Sequence, residues 1–201
     1  MNQLIEKNKA IISIFPGSRS SEVNTLMPIL IDFIKLMNKK YSDFIYVFHS
    51  TEKQKITIKN FLMKSDLSNF EVISDEKIKN HVLKKSIFAV AKSGTISLEI
   101  SSRKIPSIII YKINFINYLI LKALVKVKYA NIFNIAAGQM IIPELLQSKC
   151  NPKEIFKFVS SFLEDPNKIK KQISNTEKVL ENFKTKNLPT DLVSDILKNS
   201  L

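Results

Sequence analysis

The sequence predicts an α/β fold in which a parallel sheet is covered by helices on both faces and followed by further helices. Short runs of β-branched residues alternate with longer segments that carry apolar residues at helical spacing. Two of the predicted strands end in a glycine-containing turn that leads directly into a helix. Strands separated by helices form βαβ units with parallel strands, so these patterns together indicate a doubly wound, Rossmann-like sheet.

The individual elements follow from the same patterns. Strands are predicted, in chain order, at 10–15, 44–48, 70–73, 87–91 and 107–111. Helices are predicted between them at 20–40, at 51–64, from residue 75 onward and at 95–102. The helix at 20–40 has the clearest periodicity, because Val23, Met27, Leu30 and Ile34 recur every three or four positions.

The second half of the sequence predicts mainly helices. An apolar and basic helix is expected at 114–127, followed by a short extended stretch at 129–136. Asn151-Pro152 and Asp165-Pro166 are typical of helix starts, since each pairs a capping side chain with a proline in the first turn. A last short helix is expected from Thr190 or Asp191.

The net charge of +13 makes nucleic acid or an anionic membrane a possible partner. Arg19 and Arg103 are the only arginines, however, whereas specific nucleic-acid surfaces rely on arginine forks and aromatic platforms. We therefore expect no nucleic-acid partner and interpret most lysines as solvated surface. Attraction to anionic lipid is the functional alternative.

Cys150 is the only cysteine, which excludes an internal disulfide and every multi-cysteine metal site. The N-terminus lacks the apolar segment of a signal peptide. The longest apolar stretch, around 115–127, is broken by Asn117, Lys122 and Lys126, and it is shorter than the roughly 20 residues that a spanning helix needs. These features predict a cytoplasmic protein without a membrane span.

The first glycine-containing turn, Pro16-Gly17-Ser18-Arg19, follows the predicted strand at 10–15. Ligands of open parallel sheets bind at the carboxyl ends of the strands, and a helix start there offers unpaired N–H groups to phosphate. Arg19 adds a planar donor fork suited to phosphate oxygens. A capped helix with a surface arginine is an equally good interpretation of the turn alone.

The second turn, Ser93-Gly94-Thr95, follows the predicted strand at 87–91. Ser93 and Thr95 could donate to phosphate, and Gly94 would allow close approach of the backbone. Glu99 lies one helical turn after Thr95 and could accept both hydroxyls of a ribose. A helix cap with a solvated glutamate is the alternative. Because neither turn matches G-x-x-x-x-G-K-[ST] or G-x-G-x-x-G, we expect no cofactor, and no aspartate pair suggests a metal.

These motifs form a collinear series over nearly the whole chain. Pro16-Gly17-Ser18-Arg19 and Ser93-Gly94-Thr95 with Glu99 are followed by Asn134, Ala137-Gly138 and Pro143-Glu144-Leu145-Leu146-Gln147. The series resembles the lipid-A-disaccharide synthase family, in its C-terminal, UDP-sugar-binding half. The resemblance implies the C-terminal half of a GT-B fold, with residues 1–150 as the nucleotide-sugar-binding domain and 151–201 as a helical tail that packs on an N-terminal half or a partner subunit.

The resemblance also implies an activity and a set of binding residues. Enzymes of this family are inverting, metal-independent glycosyltransferases. They transfer the acylated glucosamine of UDP-2,3-diacylglucosamine to 2,3-diacylglucosamine 1-phosphate (lipid X) and release UDP, at the inner face of the inner membrane. Binding roles are implied for residues that match the family's motifs. The turns containing Gly17, Ser18 and Arg19 and Ser93, Gly94 and Thr95 would hold the diphosphate, Glu99 the ribose, and Asn134, Glu144 and Gln147 would lie near the donor sugar.

The sequence departs from the family pattern at two positions and lacks one region. Phe133 replaces a common proline, and Gln139 replaces a common arginine after Gly138. The family's N-terminal half, with the acceptor pocket and the proposed general base, has no counterpart here. No catalytic residue is therefore predicted, and we expect that half, or a homodimer, as a partner.

Several alternatives remain open. Another GT-B UDP-sugar transferase or an epimerase would share the second turn, and a basic membrane-binding module without enzymatic activity would share the charge. The helix predicted at 114–128 could lie on an anionic membrane or form part of the core. His49, at a strand end, could line the nucleotide site, although a core or surface position is the more common one for a lone histidine.

Overall fold

The computed structural model describes residues 9–112 and 128–185. Its strands are β1 (Ala10–Phe15), β2 (Phe44–His49), β3 (Phe70–Ile73), β4 (Ser86–Lys92), β5 (Ser107–Tyr111) and β6 (Glu144–Leu146). The helices are α1 (Ser20–Lys40), α2 (Glu52–Met63), α3 (Glu76–Lys85), α4 (Ile96–Ser102), α5 (Ile132–Ala137), α6 (Pro152–Leu163) and α7 (Pro166–Thr185), with a short 3₁₀ helix at Gln147–Lys149. The predicted α/β class and the first five strands are confirmed.

The strands form one six-stranded sheet in the order β3-β2-β1-β4-β5-β6, and every neighbouring pair is parallel. The direction of strand succession reverses between β1 and β4. A crevice opens at such a reversal, because the helices that follow the two strands pass to opposite faces of the sheet. Phe15 of β1 pairs with Ala91 of β4, so the turns that follow these strands begin side by side.

Alternate residues of the strands enter different cores. Ile12 and Ile14 of β1 pack in a core with α1, α2 and α6, whereas Phe15 packs in a second core with α4, α5 and α7. Their almost complete burial explains why the central strands are continuous apolar runs, since both faces of a doubly wound sheet are covered. The covered faces leave only the strand ends open to a ligand.

The stretch predicted as extended at 129–136 contains helix α5 instead. Asn131 accepts a hydrogen bond from the N–H of Phe133, which caps the start of the helix, and Gly138 ends it with a φ of 63°. These capping interactions determine the local structure despite the β-branched and aromatic residues in the segment. The prediction also missed β6, which has only three residues.

The described part of the C-terminal tail packs on the sheet of this same chain. Ile155 and Val159 of α6 are fully buried in the core that contains α1, and Val179 of α7 is buried in the other core. Gln172 of α7 accepts from the N–H of Ser107 at 2.7 Å and donates to its carbonyl at 2.9 Å. Helices α6 and α7 therefore share hydrophobic cores with the sheet, while the division at residue 150 and the packing of the tail on an N-terminal half or a partner subunit stay predictions.

Two predicted helices lie outside the described residues. They are the apolar and basic helix at 114–127 and the short helix from Thr190 or Asp191. Lys112 and Lys128, which flank the first of them, are among the described residues. Within 9–112 and 128–185, no helix has the length and apolar character that a bilayer crossing requires.

Candidate functional site

A cleft of about 300 Å³ lies where the strand order reverses. One wall is formed by the predicted turns, which contribute Gly17, Ser18 and Ser93–Thr95. The other wall comes from the ends of β2 and the start of α3, and its residues are His49, Ser50, Thr51, Glu76 and Lys79. The prediction that the two turns lie together is confirmed, while their binding of a ligand stays a prediction.

The turn after β1 is closed around the carboxylate of Glu22. Glu22 accepts hydrogen bonds from the N–H groups of Ser18 at 3.1 Å and Arg19 at 3.3 Å. Gly17 has a φ of 110°, and a Cβ placed there would lie 2.5 Å from a Glu22 carboxylate oxygen. Only glycine therefore allows this close approach of side chain and turn.

Glu22 also connects the two turns through charge. Its carboxylate lies 2.9 Å from the ammonium of Lys92, the last residue of β4, and 3.5 Å from the guanidinium of Arg19. Burial raises the pKa of Glu22, but the hydrogen bonds from Lys92 and from the turn outweigh it, so this pKa lies below its usual value. Glu22 is therefore ionised at neutral pH, and two of the N–H groups expected to face a ligand are bound to it.

Arg19 is not among the residues that line the cleft. Its side chain is 80% exposed and contacts only the nearby Glu22 among the described acidic residues. The guanidinium is consequently free to move toward a ligand, at the cost of a single long ion pair.

The turn after β4 is partly occupied by contacts within the chain. The Ser93 N–H donates to the carbonyl of Ile110, and the Ser93 hydroxyl donates to the carbonyl of Ala130 at 2.9 Å. The space beside Gly94 is open, because a Cβ placed there would meet no atom within 4 Å. The backbone at Gly94 and Thr95, more than the hydroxyl of Ser93, is thus the accessible part of this turn.

Glu99 lies on α4, outside the lining of the cleft. Its carboxylate binds the ammonium of Lys79 at 2.7 Å and the guanidinium of Arg103 at 3.4 Å. Lys79 itself lines the cleft, so the ion pair lies directly behind the wall formed by α3. A ligand hydroxyl that reached Glu99 would compete with Lys79.

Asn134 and Glu144 are buried and bound to their own chain. The Asn134 amide oxygen accepts from the N–H groups of Ile141 and Ile142, and its NH₂ group donates to Glu144 at 2.7 Å. Glu144 also accepts from the N–H groups of Ala130 and Asn131. This network fixes the loops on both sides of α5, and neither side chain lines the cleft.

Gln147 is likewise absent from the cleft lining. It starts the 3₁₀ helix after the edge strand β6, and its φ of 51° is unusual for a residue with a side chain. The predicted residues therefore form two sets and one separate residue. The turns after β1 and β4 meet at the cleft, although Arg19 does not line it, and Asn134, Glu144 and Gln147 lie beside β5 and β6. Glu99 lies apart from both sets, on α4.

His49 belongs to both the core and the cleft. Its ring stacks on Phe15 with centroids 4.1 Å apart, and its Nε2 is 2.9 Å from the hydroxyl of Ser13. Burial lowers the pKa of His49 to about 3, and the charge of Lys79 acts in the same direction. The imidazole is thus neutral, and in the described part of the chain its Nδ1 has no hydrogen-bond partner.

Sequence reasoning missed Lys92, Lys79 and the strand-end residues Ser50 and Thr51 as lining residues. For Ser50, Thr51 and Lys92 the position at or just after the carboxyl ends of β2 and β4 was the available signal, since all parallel strands end at the same edge. Lys79 lies on α3, where strand position gives no such signal. No group of three potential metal-ligating side chains occurs among the described residues.

Comparison with known proteins gives the family. The model of the lipid-A-disaccharide synthetase family matches residues 1–193. The lipid-A-disaccharide synthase of Sulfurihydrogenibium sp. (strain YO3AOP1) is 39% identical over 181 residues, which are 86% of this chain and 47% of that protein. The synthase of Rickettsia prowazekii (strain Madrid E) is 31% identical over 196 residues, which are 96% of this chain and 51% of that protein. The chain spans about half the length of these relatives.

Solved structures agree on the fold. The C-terminal domain of a group 1 glycosyl transferase (LpcC) from Francisella tularensis has a TM-score of 0.59 at 15% identity, covering 86% of this chain and 85% of that domain. The UDP-GlcNAc 2-epimerase of Neisseria meningitidis has a TM-score of 0.56 at 15% identity, covering 91% of this chain and 46% of that protein. At such identities the likeness concerns the fold alone, whereas the family match rests on sequence along most of the chain. The chain belongs to the lipid-A-disaccharide synthase family.

Proposed function

We propose that this chain is the UDP-sugar-binding half of a lipid-A-disaccharide synthase. The reaction transfers 2,3-diacylglucosamine from its UDP donor to lipid X and releases UDP. The observation that carries the proposal is that the turns after β1 and β4 meet in one cleft, at the point where the strand order reverses. The chain in which they meet belongs to the lipid-A-disaccharide synthase family. A site at this position is where open parallel sheets bind their ligands.

The diphosphate would lie across the two turns. The first N–H groups of α1 have no partner within the helix, and Gly94 leaves open space for an oxygen to approach. Arg19 can move from Glu22 to a phosphate oxygen, because its guanidinium is largely exposed. As the glycosidic bond to the donor breaks, negative charge develops on the leaving UDP, and fixed N–H dipoles with cationic side chains would stabilise it without a metal.

The ribose would bind near Glu99. Its hydroxyls can donate to a carboxylate, and Lys79 would then move from Glu99 toward the ligand. Asn134 and Glu144 would influence the donor sugar through the backbone that they fix at Ala130–Asn131 and Ile141–Ile142. Gln147, at the carboxyl end of β6, is the one residue of this set that could contact the sugar directly.

Transfer with inversion needs a base to remove the proton from the acceptor hydroxyl. We assign that base and the lipid X pocket to an N-terminal half, against which the C-terminal tail, beyond its described contacts with this sheet, would dock. An acylated donor and acceptor require access to lipid, so the complete enzyme would work as a peripheral protein on the cytoplasmic face of the inner membrane, with the net positive charge favouring anionic lipid.

Calorimetric titration with UDP tests the assignment of the cleft. Arg19→Ala is expected to weaken UDP binding by about 1.5–3 kcal/mol, the range for a hydrogen bond to a charged group. Lys39→Ala is the matched control, because it removes one exposed positive charge at the far end of α1. An equal loss for Arg19→Ala with every polyanion tested would instead favour a basic binding module.

The reaction itself is tested with the complete two-half enzyme. Radiolabelled lipid X should be converted to the disaccharide only when UDP-2,3-diacylglucosamine is present. If the enzyme instead converts a soluble UDP-sugar in the absence of lipid, its activity is that of a different transferase or of an epimerase.

A further inference from the structure

Lys92 combines burial, charge and position in a way that Arg19 does not. Its side chain is only 19% exposed, and it lines the cleft at the end of β4, immediately before Ser93. An ammonium group is costly to remove from water unless it is paired. Here the carboxylate of Glu22 lies 2.9 Å away, and the ring centroid of Tyr111 lies 5.3 Å from the Lys92 nitrogen.

The partners that Lys92 has within residues 9–112 and 128–185 leave part of its hydrogen-bonding capacity unused. An ammonium group has three N–H donors, and Glu22 accepts one of them. The Tyr111 ring contacts the charge through its π face and supplies no oxygen acceptor. Donors therefore remain for a ligand in the cleft that the ammonium lines.

Glu22 and Tyr111 also determine where this charge can lie. Glu22 is itself held by the N–H groups of Ser18 and Arg19, so its carboxylate is fixed relative to the first turn. Through Glu22, the ammonium of Lys92 is fixed relative to both turns. Such a preorganised charge binds an anion with little loss of side-chain freedom.

We propose that Lys92 is a second cationic ligand of the diphosphate, and that Glu22 is the residue that positions it. This inference rests on the proposed function, because it adds a residue to the diphosphate end of the same cleft. The ion pair with Glu22 neutralises one carboxylate that would otherwise repel the ligand. A nucleoside diphosphate, with several negative charges, would draw the free donors of Lys92 while Glu22 keeps the ammonium in place.

The competing interpretation gives Lys92 a purely structural role. The pair with Glu22 also joins β4 to α1, so its loss could lower stability without changing ligand preference. The ratio of UDP affinity to uridine affinity separates the two roles, because only UDP carries the diphosphate. A structural defect that damages the cleft would weaken the binding of both ligands.

The experiment measures dissociation constants of UDP and uridine for the 201-residue chain and its variants. Lys92→Met is expected to weaken UDP binding about tenfold or more, while uridine binding changes by less than about twofold. The dependence of UDP affinity on salt should also become shallower. Lys92→Arg, which keeps the charge, should recover most of the preference for UDP.

Lys104→Met is the matched control. Lys104 forms an ion pair with Glu177 at 2.6 Å, and neither residue lines the cleft. The control therefore removes one charge and one ion pair and should leave both dissociation constants unchanged. If Lys92→Met does not fold, Glu22→Gln/Lys92→Met removes both charges together, and the same selective loss of UDP binding is expected.

Two outcomes would overturn the inference alone, given that the wild-type chain binds UDP. One is a folded Lys92→Met variant that binds UDP and uridine with the wild-type affinities, and the other is an equal loss of UDP and uridine binding. Absence of UDP binding by the wild-type chain would instead refute the proposed function, and this inference with it.

Discussion

The three glycines of the chain allow the same substitution to be compared in three structural situations. Gly17 has a φ of 110° and a neighbour in the way of a Cβ, Gly138 has a φ of 63° and open space, and Gly94 has open space without a positive φ. Replacement by alanine therefore separates backbone strain from steric overlap. We expect the free energy of unfolding to be highest for Gly94→Ala, lower for Gly138→Ala and lowest for Gly17→Ala.

The magnitudes follow from these geometries. Gly94→Ala should leave stability unchanged or raise it by about 0.4–1 kcal/mol, since alanine restricts the unfolded chain. Gly138→Ala should cost about 1 kcal/mol, because a left-handed φ costs an alanine about 1–2 kcal/mol and part of this is offset in the unfolded state. Gly17→Ala adds the displacement of Glu22, now 2.5 Å from the new methyl carbon, and should cost about 3 kcal/mol in total.

Urea denaturation followed by circular dichroism measures these differences, with unchanged m values as the check that the unfolding transition is the same. UDP titration adds a second comparison, because Gly94→Ala places a methyl group in the cleft and should weaken UDP binding while stability is kept. Equal losses of stability at Gly17 and Gly138 would refute the reasoning that Glu22 closes the first turn.

Two further predictions concern buried polar groups. Asn134→Ala should lower the unfolding free energy by about 3 kcal/mol or more, measured by urea denaturation, because the N–H groups of Ile141 and Ile142 lose their acceptor and the Ile142 carbonyl loses a donor. A loss of stability no larger than that of an exposed Asn→Ala change would contradict it. His49→Gln should make stability less sensitive to acid. In the wild-type chain the unfolded state binds more protons between the folded pKa of about 3 and the unfolded value near 6.5, so stability should fall by about 2 kcal/mol from pH 7 to pH 5 through this residue, and thermal melts at both values check the difference.

The first five strands could be predicted because each is a run of at least four mainly apolar residues, which distinguishes it from the neighbouring helices and turns in the sequence. Strands β1, β3 and β5 were predicted with their observed bounds, whereas β2 is one residue longer at its C-terminal end and β4 is one residue longer at each end. Burial on both faces makes each strand a continuous apolar run, and the helices between them have one apolar face. Local sequence therefore carries the information that defines these elements.

Shorter elements were predicted less well. Helix α5 depends on the Asn131 cap and on Gly138, and these two residues override the strand preference of the segment between them. Strand β6 forms because Leu145 pairs with Ile110 of β5, a contact that three residues of sequence cannot indicate. In both cases the determining interaction is one side chain or one backbone pair.

The site was predictable only as two turns. Their meeting follows from strand order, but the role of Glu22 depends on a side chain that folds back onto its own turn. The pairing of Glu22 with Lys92 joins residues seventy positions apart, and periodicity contains no information about it. The hydrogen bonds of Asn134 and Glu144 with each other and with the loops beside α5 likewise depend on the fold, and the sequence gives no sign of them.

The contact between Gln172 and Ser107 affects how this protein can be divided for study. Gln172 satisfies both backbone groups of the first residue of β5, at the edge of the sheet opposite the cleft. A version shortened at residue 150 would leave those groups unpartnered and expose the apolar residues that α6 and α7 cover. Loss of nucleotide binding by such a fragment would report collapse of the scaffold, so the minimal unit for crystallisation or titration has to include α7.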